Sequence, residues 1–108
     1  MSDLTPPSPP AGLTGKQRQY LRGLAHPLNP LVRIGKEGLT EAIATKVRQE
    51  LDSHELIKVK IGDGCLEAPK ELYPLIAEQT HAELVQVIGK VGIFYKRRRK
   101  DPEIQLPK

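Results

Sequence analysis

The sequence predicts a two-layer α/β domain, with helices packed on a four-stranded mixed sheet in the order α-β-α-β-α-β-β. Capped segments with apolar residues at helical spacing alternate with short runs in which apolar and charged residues alternate. The last two strand-like runs follow one another through a glycine-containing turn, as in a hairpin. Strands first separated by helices and then joined as a hairpin imply both parallel and antiparallel pairing, hence a mixed sheet. At 108 residues the chain supports one domain with one modest core.

Residues 1–12, with Pro6, Pro7, Pro9 and Pro10, have little to bury and read as a disordered proline-rich leader. They lack the basic start and apolar run of a signal peptide. The first helix opens at Thr14, whose capping box is completed by Gln17 three residues on. At 100° per residue, Leu13, Gln17, Tyr20, Leu21 and Leu24 gather on a core-facing side, with Arg18, Gln19 and Arg22 opposite. Pro27 ends it. Residues 31–34 form a short strand, stopped by Gly35-Lys36-Glu37-Gly38. Thr40 starts the second helix, and Leu39, Ile43, Val47 and Leu51 mark its buried face. Ile57, Val59 and Ile61 alternate with Lys58 and Lys60 as a half-buried strand, and Gly62-Asp63-Gly64 turns the chain. A third helix lies within residues 69–80, where Pro74 either distorts the first turn or delays the helix to about Tyr73. Residues 84–88 and 91–97 are the closing strands.

Charge is segregated along this order. The chain holds 17 Lys+Arg against 13 Asp+Glu, a formal +4. Residues 14–36 contain Lys16, Arg18, Arg22, Arg33 and Lys36 and no acid; residues 84–100 contain Lys90, Lys96, Arg97, Arg98, Arg99 and Lys100 and no acid. The intervening stretch, residues 37–83, holds ten acids against five bases. If folding brings the two basic blocks together, they form one surface that attracts polyanions. Solvated faces that merely keep a small protein soluble are the alternative.

The turn Gly89-Lys90-Val91-Gly92 adds a specific feature. Glycines let a backbone approach a ligand closely, and Lys90 sets a positive charge between them. Backbone N–H groups there could donate to phosphate oxygens. The same residues suit an ordinary β-turn, and the comparable loop of KH domains joins helices rather than strands. Tyr20, Tyr73, Phe94 and Tyr95 are the aromatics, so nucleic-acid binding would lean on charge more than on stacking.

Catalysis finds little support. His26, His54 and His81 stand far apart without zinc-ligand spacing, so neither metal nor cofactor is expected. Cys65 is alone, which excludes an internal disulfide and suits a reducing cytoplasm, and it has no histidine nearby in sequence. No stretch approaches the roughly 20 apolar residues of a membrane span.

Several segments then resemble a known family. They are Leu13-Thr14-Gly15-Lys16-Gln17-Arg18, Leu24-Ala25-His26-Pro27-Leu28, Val32-Arg33-Ile34-Gly35-Lys36-Glu37-Gly38-Leu39-Thr40, His54-Glu55-Leu56-Ile57-Lys58-Val59-Lys60 and Val85-Gln86-Val87-Ile88-Gly89-Lys90. In this order they resemble the CRM domain (chloroplast RNA splicing and ribosome maturation) in its stand-alone, YhbY-like bacterial form. The resemblance spans residues 13–98 and leaves residues 99–108 as a basic, polar tail. It implies a fold similar to the C-terminal domain of translation initiation factor three, and RNA binding, specifically of ribosomal RNA or large-subunit precursors; the chain itself is expected to act as a monomer. Carried over by position, the RNA-binding residues are Gly89, Lys90, Val91 and Gly92 in the loop. Arg18, Arg22, Arg33 and Lys36 belong to a basic face, and Lys96, Arg97 and Arg98 extend it. A general nucleic-acid binder, or a subunit docking on acidic ribosomal proteins or factors, are the other readings.

Overall fold

The computed structural model describes residues 12–107. The expected leader lies outside the described residues except for Gly12. Three helices and four strands follow in the expected order: α1 (Gly15–Ala25), β1 (Val32–Ile34), α2 (Glu41–His54), β2 (Leu56–Ile61), α3 (Pro69–Thr80), β3 (Glu83–Ile88) and β4 (Val91–Tyr95). The strands form one mixed sheet in the order β1-β2-β4-β3. β1 runs parallel to β2, and β4 pairs antiparallel with both β2 and β3. The α/β arrangement with a four-stranded mixed sheet is the one the sequence implies.

Alternation along the strands divides the core. Val32, Ile34, Ile57, Val59, Ile61 and Phe94 point to the face covered by α2 and α3, where they meet Val47, Leu51, Leu72, Tyr73 and Ile76. Burying one such side chain is worth about 1.5–3 kcal/mol. On the other face, Leu56, Val85, Ile93 and Tyr95 receive Leu21 and Ala25 of α1. Ile104 and Leu106, from the segment after β4, pack there too. The segment expected to be a tail is thus laid against the second cluster.

Local caps behave as the residues dictate. Thr14 and Gln17 form the reciprocal capping box, and Thr40 Oγ1 accepts the N–H of Ile43. α3 begins at Pro69 and continues through Pro74. Proline is well suited to the first helical position, and the later one removes only a single backbone bond. One expectation fails: Tyr20 and Leu24 of α1 are 42% and 38% exposed. The helix meets the sheet along Leu21 and Ala25, a narrower stripe than the helical wheel suggests.

Candidate nucleic-acid interface

The parallel β1 and β2 end at the same edge of the domain, and the antiparallel hairpin turns there. Three loops therefore meet at one tip: Gly35-Lys36-Glu37-Gly38, Gly62-Asp63-Gly64 and Gly89-Lys90. They contain five of the chain's nine glycines; Gly35, Gly64 and Gly89 leave the backbone open to close approach, whereas Gly38 is buried beneath the Glu67 carboxylate. Gly38 closes the first loop by donating to the Gly35 carbonyl at 3.0 Å. Its φ of +69° suits glycine. Gly38→Ala should cost more than about 1 kcal/mol, because the methyl strains this backbone and must displace the Glu67 carboxylate; a lower urea midpoint reads it. The loop then enters α2, and α3 also begins at this edge, so the positive ends of two helix dipoles face the tip.

Lys36 and Lys90 supply its cations. Tyr73 anchors the hairpin from inside, its hydroxyl lying 2.7 Å from the Lys90 carbonyl and 2.9 Å from that of Val59. Burial pushes the Tyr73 hydroxyl up, so it remains a protonated donor. Lys90 Nζ lies 2.9 Å from Asp63 Oδ1. That contact holds the Asp63 carboxyl below the usual carboxylate range. An anion arriving at Lys90 competes with Asp63. Beside the tip, Arg33 and Lys60 are register partners. They alternate with core residues and so project from the α1 face of the sheet.

The other expected site residues lie elsewhere. Arg18 turns inward and donates to the carbonyls of Leu84 and Val85 at 2.7 and 2.9 Å. Arg22 is exposed on α1. Gly92 does not frame an open loop. It is buried in β4, where an added Cβ would stand 2.9 Å from the Tyr73 ring. Val91 pairs with Lys60 and Ile88 in the sheet. Gly89, with φ +58°, makes the turn.

Lys96, Arg97 and Arg98 leave the far end of β4. At ~3.3 Å per residue, the six steps from Lys90 to Lys96 span roughly 20 Å. The expected single patch containing Lys90 is therefore two clusters, because an extended strand separates its ends. Lys96 Nζ donates to the Thr80 carbonyl, and Arg98 donates to the carbonyls of Ser53 and Asp101.

Sequence reasoning missed Glu55. This residue is 1% exposed. Its Oε2 accepts the Arg98 N–H at 3.0 Å, and Oε1 accepts those of Glu103 and Ile104 at 2.7 and 2.9 Å. Burial opposes its ionisation, but these donors and the Arg98 charge outweigh it and hold the carboxyl below its ordinary value. An acid directly before a buried strand was the only signal available.

Comparison with known proteins adds the family context. Residues 13–96 match the CRS1 / YhbY (CRM) domain family. A Haemophilus influenzae protein named as RNA-binding is 42% identical over 96 residues, covering 89% of this chain and 96% of the relative. A Bacillus subtilis protein named a probable RNA-binding protein is 34% identical over 95 residues, covering 88% and 99%. The solution structure of a hypothetical Staphylococcus aureus protein, described as proposed to bind RNA, superposes with a TM-score of 0.75 at 42% identity. That alignment covers 88% of this chain and 99% of the other.

Proposed function

The chain belongs to the CRS1 / YhbY (CRM) domain family, and from that premise we propose that it is a non-catalytic RNA-binding protein. Its ligand on this reading is ribosomal RNA in cytoplasmic large-subunit precursors, the partner implied by the family resemblance. The observation that supports it is the tip, where three glycine-containing loops, two helix N-termini and Lys36 and Lys90 converge. Arg33 and Lys60 continue the charge onto the sheet face that carries α1. Such a surface holds phosphates by charge and backbone donors, and selects RNA by shape.

Four phosphate contacts from these cations give a salt dependence of log affinity with a slope of about −3 to −4. Lys36→Ala with Lys90→Ala should weaken binding of a structured ribosomal RNA fragment at least tenfold and flatten that slope by about 1.5–2. Both side chains are exposed, so the thermal midpoint should barely move. Unchanged affinity and slope in a titration by fluorescence anisotropy would reject the tip. Asp63→Asn, which removes the internal competitor at Lys90, should instead tighten binding severalfold. Co-sedimentation with large-subunit precursors should disappear after RNase treatment. Persistence would favour docking on an acidic protein, and equal competition by duplex DNA would favour general nucleic-acid binding.

A further inference from the structure

We propose that the cationic run leaving β4 is a second phosphate-binding surface, separate from the tip, so that one molecule bridges two segments of structured RNA. The proposal rests on the RNA-binding reading and adds a second contact to it. Five cations follow one another from Lys96 to Lys100, but they do not behave alike. Lys96 and Arg98 turn inward: the Lys96 N–H donates to the Glu55 carbonyl at 2.9 Å, and the Arg98 N–H to the Glu55 carboxylate. Arg97, Arg99 and Lys100 are exposed. The run therefore has a fixed backbone that displays three cations outward, beside a cleft shared with Asp52. A backbone held in place before binding loses less entropy when a ligand arrives.

The two surfaces are electrostatically independent. The Debye length is about 8 Å at physiological ionic strength, well under the roughly 20 Å that the strand imposes. The ground between them is mixed in character. On one face α1 exposes Tyr20 and Leu24 beside Arg22. On the other, α3 presents Glu78 to solvent, while Glu41 and Glu71, in the first turns of α2 and α3, lie beside the tip. Asp52 and Asp101 border the second surface. Arg98, paired at 3.7 Å with Glu103, leaves Arg97, Arg99 and Lys100 to meet the ligand.

The test uses the full chain and two ribosomal RNA hairpins, one immobilised and one fluorescent. The wild type should capture the fluorescent hairpin on the immobilised one. Replacing Arg97, Arg99 and Lys100 together by Gln should reduce that capture at least tenfold. It should keep binding of a single hairpin within about threefold, with an unchanged thermal midpoint. Lys36→Gln with Lys90→Gln should also abolish capture, through loss of the first contact. Capture that survives the triple substitution overturns the proposal, since it would then arise from self-association or from the tip alone. A wild type that binds one hairpin but never a second also overturns it, and leaves the RNA-binding reading standing. If the wild type binds no hairpin, that reading falls and takes the proposal with it.

Discussion

Glu55→Ala should detach the segment after β4 and lower stability by about 3 kcal/mol. The carboxylate is buried and accepts three backbone N–H bonds. Bonds to a charged acceptor contribute about 1.5–3 kcal/mol each, and removing one partner leaves the others without a match. The detached segment can recover some of that loss by hydrating its amides, which sets the figure below a simple sum. Amide hydrogen exchange locates the effect: Glu103 and Ile104 should lose protection first. Ile104 and Leu106 would leave the second core cluster with them. Glu55→Gln, which keeps an acceptor oxygen without the charge, should fall between the two.

Acid should imitate the substitution. The folded carboxyl lies below its ordinary value, so the folded state holds fewer protons than the unfolded chain as pH falls through the carboxylate range. Its stabilisation is complete above that range and is lost as pH falls through the folded value. The urea midpoint of the wild type should therefore drop in acid more steeply than that of Glu55→Gln. Parallel profiles would remove Glu55 as the acid-sensitive group.

Gly92→Ala should be nearly as damaging, for a steric reason. The new methyl would stand 2.9 Å from Tyr73 Cδ2 and 3.0 Å from Phe94 Cε1. Both rings are fully buried, and they pack edge to face with centroids 5.6 Å apart. Neither has room to retreat, so a cost of about 2–3 kcal/mol is expected. For a domain of this size that lowers the thermal midpoint by roughly 10–15 °C. A midpoint within 2–3 °C of wild type would mean that the α3–sheet contact is looser than it stands. RNA affinity measured well below the midpoint should change little, because Gly92 faces the core.

What the sequence disclosed was mostly local. Thr14 with Gln17, and Thr40 before Ile43, announce their helices through short-range bonds, and Ile57, Val59 and Ile61 announce a strand by alternation. The misreadings are questions of partnership. Gly92 looks like half of a ligand loop until the register of β4 sets it against Tyr73. Arg18 looks like an outward cation until β3 offers it two carbonyls. Glu55 looks like one acid among many, because its donors lie more than 40 residues away. The split of the basic residues follows from strand geometry: Lys90 and Arg97 are close in sequence only because β4 is short, yet they occupy its two ends.

The contact of Arg18 with the outermost strand reaches past folding. β3 borders the sheet, and its pairing with β4 is irregular between Leu84 and Gln86. Bare carbonyls on such a border invite another chain to add itself as a further strand. The guanidinium occupies two of these acceptors, and β1 on the opposite border offers only three residues. Both borders of the sheet are thereby less open to the addition of a further strand.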